Sequence, residues 1–139
     1  MVVHLDSSFL IDLLRETKGG RPGAALEYLE QLDDRDTVCA SVHVLCELRV
    51  GPESHQRPAQ EHEFLDDVLS SVVIVYPDGR FAPAYGRLYA AVARTARTGR
   101  TLAAMDLLIA TAAVLDDAPL VTRNVKDFSR VPGLRVLAY

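Results

Sequence analysis

Apolar residues recur along this chain in short runs separated by polar, glycine- and proline-containing stretches, and the spacing within each run predicts an element. Residues 2–5 form a brief apolar run that predicts a first strand. Asp6, Ser7 and Ser8 follow, all of them types that cap helices, and Phe9, Leu10, Ile11, Leu13 and Leu14 predict a helix ending near residues 18–20. Leu26, Leu29 and Leu32 stand at helical spacing. Residues 37–40 read as a second strand, and Ser41 caps a helix predicted to run to Val50, with Gly51 and Pro52 as its stop. Residues 53–62 are polar, contain Pro58 and predict a loop. Phe64, Leu65, Val68 and Leu69 define a further amphipathic helix, and residues 72–75 a third strand. A helix is predicted over residues 84–98, with Tyr85, Leu88, Tyr89, Val92 and Ala96 on one face and Gly99 as its stop. Residues 105–115 are apolar on nearly all sides and predict a buried helix, before strands at 119–122 and 134–137.

Strands alternating with helices predict an α/β fold with a mostly parallel central sheet of four to five strands, covered by helices on both faces. Such sheets bind ligands beyond the carboxyl ends of their strands, where Asp6 and Asp127 fall.

Composition narrows the class. A length of 139 residues suits one domain, and 49% apolar with 24% charged residues is ordinary for a globular chain. No apolar run approaches the length of a bilayer span, and the amino-terminal residues lack the pattern of a secretory signal, so the expected location is the cytoplasm. Cys39 and Cys46 match no zinc or redox spacing and are expected as two small buried thiols. A net charge of −4 argues against an extended basic surface but leaves room for a local basic patch.

Four acids carry the candidate chemistry, each with a simpler alternative. Asp6 can cap the helix after the first strand, although Ser7 or Ser8 could take that duty. Glu47 can face solvent beside His43, and Asp106 can serve the start of the most apolar helix. Asp127 can be a plain loop acid, and Asn124 could do similar work. If these acids converge they repel one another unless a cation compensates, and an all-oxygen set suits Mg²⁺, with Mn²⁺ as the alternative, rather than zinc. A metal-acidified water then points to phosphoryl-ester hydrolysis.

The contexts of these acids carry a family resemblance. Residues 3–8 (VHLDSS), 41–51 with the pair Glu47-Leu48, 106–112 (DLLIATA) and 122–128 (TRNVKDF) together resemble the PIN-domain ribonucleases, most closely the VapC toxins of bacterial toxin–antitoxin pairs. The resemblance spans the chain and implies a single PIN-like α/β/α domain over residues 1–139. It implies metal ligation by Asp6 and Asp106 directly, and by Glu47 and Asp127 through water or at a second metal position. Ser8, Thr122 and Asn124 would orient ligands or waters. It further implies hydrolysis of RNA to a 5′-phosphate and a 3′-hydroxyl, a homodimer, and inhibition by a cognate VapB-like antitoxin. Two positions depart from the family's usual pattern: Val44 stands where a hydroxyl is common, and residues 102–105 are unusually apolar.

Arg87, Arg94 and Arg97 share a predicted helix face, and Arg100, Arg123 and Lys126 extend a candidate basic rim for RNA phosphates. The bland reading of that face is ordinary solvation. Two other functions remain open to the sequence. An aspartate-dependent phosphatase would use Asp6 as nucleophile, yet Ser8 stands where it would want a second acid. A non-catalytic, partner-binding domain of the same fold would have no need of all four acids. The histidines His4, His43, His55 and His62 form no convincing catalytic set, and His4 is expected in the core.

Overall fold

A computed structural model describes residues 1–96 and 102–139. The predicted helix end at Thr98–Gly99 and the rim residues Arg97 and Arg100 lie outside the described residues. Five parallel strands form one sheet: β1 (Val2–Leu5), β2 (Thr37–Ser41), β3 (Val73–Val75), β4 (Leu120–Val121) and β5 (Val136–Leu137). Between them run α1 (Ser7–Gly19), α2 (Ala24–Glu30), α3 (Val42–Glu53), α4 (Pro58–Val68), α5 (Phe81–Thr95), α6 (Ala104–Leu115) and α7 (Val125–Phe128), with a 3₁₀ turn at Leu69–Ser71.

The sheet order is β3-β2-β1-β4-β5. The chain therefore builds outward from β1 to β3, crosses back over the sheet through α5 and α6, and continues outward on the other side of β1. Parallel crossovers are right-handed, so reversing direction across the sheet places helices on both faces. The reversal opens a crevice between the carboxyl ends of β1 and β4, the position where open parallel sheets bind ligands. His4 pairs with Cys39 on one side and Leu120 on the other, and Leu5 pairs with Val121, so Asp6 and Thr122 leave the sheet side by side.

Burial fixes the crevice walls. Val3 and Leu5 of β1, Phe9 and Leu10 of α1, Val44 of α3, Leu107 and Ala110 of α6, Leu120 and Val121 of β4 and Phe128 of α7 are almost wholly buried. Each large side chain of this kind stabilises the fold by roughly 1.5–3 kcal/mol. Phe9 lies three residues after Asp6 and Phe128 directly after Asp127, so two of the largest buried side chains anchor the segments that bear these acids. His4 is buried, and its Nε2 lies 2.7 Å from Oδ2 of Asp116, as expected of a core histidine.

Several local expectations are corrected. Gly51 and Pro52 do not stop α3, which continues to Glu53. Pro52 stands one residue before the end of the helix, so the bond lost at its nitrogen and the crowding of the Leu48 carbonyl fall in the last turn. Pro58 does not sit in a loop but opens α4, where a missing N–H costs nothing. The helix expected from residue 84 begins at Phe81, and Tyr89 on its supposed inner face is half exposed. Asp127 lies on a four-residue helix, not a loop. Cys39 is buried but Cys46 is exposed, and both are free. Among the described residues no helix is long and apolar enough to cross a membrane.

Candidate functional site

Asp6 occupies the end of β1 and is nearly inaccessible. It is the N-cap of α1, its Oδ1 accepting the Phe9 N–H at 3.0 Å, so Ser7 and Ser8 do not relieve it of that duty. Capping uses only part of the carboxylate. The Ser8 hydroxyl donates to Oδ1 at 2.7 Å, and the Thr122 hydroxyl donates to Oδ2 at 2.5 Å across the β1–β4 junction. Thr122 Oγ1 in turn accepts the Asn124 N–H at 2.9 Å, and the Asn124 side-chain amide donates to Asp127 Oδ2 at 3.2 Å. The Arg123 N–H donates to Ser8 Oγ at 3.1 Å. Residues 122–124 are thus stitched to the start of α1, and the Asn124 side chain is hydrogen-bonded to Asp127.

The second wall is built from α3 and α6. Ser41 caps α3, its hydroxyl accepting the Val44 N–H at 3.4 Å. Glu47 follows on the exposed side of that helix, where its Oε1 accepts the Ser7 hydroxyl at 2.5 Å. Val44 is fully buried in the core, so the hydroxyl beside Glu47 comes from α1 instead. Ser7 was legible only as a helix-capping type. Its partner lies 40 residues away, and no local signal announces it. Asp106 is not the cap of α6; Ala103 holds that position and Asp106 lies in the first turn. Burial, and then the nearby carboxylates of Glu47, Asp6 and Asp127, push the Asp106 carboxyl above its ordinary value of 3.8. Asp106 therefore lies in the electric field of the other three acids.

That arrangement bears on which ion it suits. The donors are all oxygens, and the repulsion felt by Asp106 is the kind a divalent cation relieves. Among the described residues no three His, Cys, Asp or Glu side chains stand close enough to hold one ion between them. By donor chemistry an all-oxygen set fits Mg²⁺, which keeps several waters and takes only one or two protein carboxylates directly. It does not suit the closed four-ligand cage of structural zinc.

The remaining candidates sort by position. Arg87 and Arg94 are exposed on α5, and among the described residues neither pairs with a carboxylate. Lys126 is exposed on α7. Arg123 is different, since its Nη1 lies 3.0 Å from Asp12 Oδ1. His43 stacks on Phe81 with ring centroids 5.3 Å apart, and burial lowers its pKa. His62 pairs with Glu53, and His55 lies 3.5 Å from Glu61.

Comparison with known proteins bears on the family and the fold. The family model described as "PIN domain" matches residues 3–134. The chain is 30% identical to ribonuclease VapC2 of Rickettsia felis, covering 96% of this chain and 95% of that one. It is 33% identical to ribonuclease VapC19 of Mycobacterium tuberculosis, over 94% and 95% of the two chains. Among solved structures, a chain of VapBC2 from Rickettsia felis bound to a promoter DNA fragment superposes with a TM-score of 0.88 at 28% identity, over 100% and 99% of the chains. A chain of VapBC-1 from nontypeable Haemophilus influenzae gives 0.84 at 28% identity, over 99% and 98%.

Proposed function

The chain belongs to the PIN-domain family, and from that membership we propose that it is a Mg²⁺-dependent endoribonuclease, formed as one domain over residues 1–139 and acting as the toxin of a toxin–antitoxin pair in the cytoplasm. One observation carries the reading. Asp106, in the first turn of the most apolar helix, is pushed above its ordinary value by burial and by the carboxylates of Glu47, Asp6 and Asp127, which supports reading the four as one site.

In this reading Asp6 and Asp106 would hold the ion directly, and Glu47 and Asp127 would hold it through water. When bound, Mg²⁺ supplies an acidified water as nucleophile and offsets charge developing on the phosphodiester. The chain's own residues supply orientation. Ser8, Thr122 and the Phe9 N–H fix both oxygens of Asp6. Ser7 aims Glu47, and the Asn124 amide aims Asp127. Groups fixed in this way need not reorganise during the reaction. Water adds to phosphorus, the bond to the 3′ oxygen breaks, and that oxygen takes the proton, leaving a 5′-phosphate and a 3′-hydroxyl.

A VapB-like antitoxin is the proposed protein partner, supported by the solved VapBC complexes that the chain resembles, and a homodimer is the proposed assembly. Incubation with total RNA in Mg²⁺, in Mn²⁺, in EDTA and with Asp6→Ala tests the activity. Cleavage is expected with Mg²⁺ and should vanish with EDTA and with the substitution. Cleavage that survives both would overturn the metal-nuclease reading.

A further inference from the structure

A pocket of four acids has to receive a polyanion, so a cation fixed at its rim would be of use. Arg123 is the one residue of the 122–124 segment whose side chain the acid network does not absorb. Its backbone N–H is bonded to Ser8 Oγ, and its neighbours Thr122 and Asn124 are bonded to Asp6 and Asp127. The Arg123 main chain is therefore pinned to the site. Its side chain is 58% exposed, yet the guanidinium Nη1 is tethered to Asp12 Oδ1, whose side chain is only 19% exposed. Asp12 is anchored in turn. The Tyr139 hydroxyl donates to its Oδ2 at 2.6 Å, and the Tyr139 ring packs edge-on against buried Phe9 with centroids 4.6 Å apart. Arg15 is a weaker competitor for Asp12, at 3.9 Å.

Stability alone gives this arrangement little purpose. Exposed ion pairs contribute about 0–1 kcal/mol. A guanidinium carries five N–H donors in a planar fork, and among the described bonds the Asp12 carboxylate engages only Nη1. The rest of the fork is suited to phosphate oxygens. Burial and the Asp12 carboxylate push the Tyr139 phenol upward, so it stays a neutral donor at neutral pH.

We propose that Asp12 and Tyr139 are positioning residues that hold Arg123 ready to grip an RNA phosphate beside the acid site. The inference rests on the ribonuclease reading and adds a chain of contacts from Tyr139 through Asp12 to the substrate-binding cation. A tether that restricts the guanidinium before RNA arrives lowers the ordering cost of binding. Its effect should therefore fall on substrate affinity and not on the chemical step.

The test is steady-state cleavage of a single-stranded RNA oligonucleotide at several salt concentrations, with Arg123→Gln, Tyr139→Phe, Asp12→Asn and the double variant of Arg123 and Tyr139. Arg123→Gln should raise KM about tenfold and flatten the log–log salt slope by about 0.7, the contribution of one phosphate contact on a single strand. Asp12→Asn should raise KM about threefold with kcat nearly unchanged, and Tyr139→Phe, which keeps the ring on Phe9 but also removes the phenol bonded to Ser8, should raise KM in the same direction. In the Arg123→Gln background Tyr139→Phe should add nothing, since residues acting through one another are non-additive. An equal KM effect of Tyr139→Phe in both backgrounds, or a lowered Tm with KM and salt slope untouched, would overturn the proposal. Anisotropy of the same labelled RNA on the Asp106→Asn protein gives a second readout that needs no cleavage. A wild-type protein that fails to cut RNA overturns the ribonuclease reading. An Arg123→Gln change that leaves this Kd and its salt slope unaltered overturns the positioning role alone.

Discussion

The two walls of the crevice are built on different principles. On the β1–β4 side, Asp6 accepts three hydrogen bonds, and a relay through Thr122 and Asn124 reaches Asp127. On the α3–α6 side, Glu47 has the Ser7 hydroxyl, and no hydrogen bond to the Asp106 carboxylate is found among the described residues. One wall is satisfied by neutral donors before any ion arrives. The other holds a partly buried acid against three like charges by the packing of α6 alone. The strand side therefore holds its acids by hydrogen bonds, while the helix side holds the acid that burial and its neighbours' charges push upward.

The largest expected effect lies on the strand side. Thr122→Val removes the buried hydroxyl but keeps the shape, leaving Asp6 Oδ2 without that donor. Loss of such an orienting group typically lowers metal affinity or activity 10- to 100-fold. Ser7→Ala, on the helix side, should lower the same rate only a few-fold, because Glu47 is exposed and water can replace the hydroxyl. Equal losses in the two variants, measured as kcat/KM at fixed Mg²⁺, would break the distinction between the walls.

Thermal unfolding of the metal-free protein sharpens it further. Asp6→Ala removes an N-cap and should destabilise by about 1 kcal/mol. Asp106→Asn should do the opposite. A carboxyl whose folded pKa is raised favours folding fully only below its ordinary value of 3.8, and that contribution is lost as pH rises through the raised value. At neutral pH the amide avoids this loss, so Tm should rise, by about 2–4 °C for each kcal/mol of repulsion removed.

Mg²⁺ supplies the smallest and most diagnostic difference. On the metal-nuclease reading it should raise the Tm of the wild-type protein, as a ligand of the folded state does, and raise that of Asp106→Asn less. A Tm that falls in Asp106→Asn at neutral pH without metal would show that Asp106 is a structural residue rather than a source of repulsion.

Much of this was legible in the residues themselves. Three acids announce their settings locally: Asp6 after an apolar run, Asp106 at the head of an all-apolar helix, and Asp127 after the Thr-Arg-Asn segment. Glu47 had only an amphipathic helix around it, which a solvent-facing residue explains equally well, and the family resemblance singled it out. The short helix carrying Asp127 escaped because four residues are too few to show a period. The extension of α3 through Pro52 and the start of α4 at Pro58 escaped because proline punctuates a helix without saying which side of it the helix lies on.

Local pattern by itself determined the order of elements, the parallel α/β class and the buried character of the segment beginning near Met105, because burial on a periodic element writes its period into adjacent positions. Only the tertiary structure decided which polar groups meet. Thr122 reaches Asp6 across 116 residues, Ser7 reaches Glu47 across 40, and Tyr139 reaches Asp12 across 127. The first depends on the pairing and register of β1 with β4 across the reversal of strand order, and the second on the pairing of β1 with β2. Neither leaves a trace in neighbouring residues, since a hydroxyl that holds a distant carboxylate looks, in its own segment, like any other cap or loop residue.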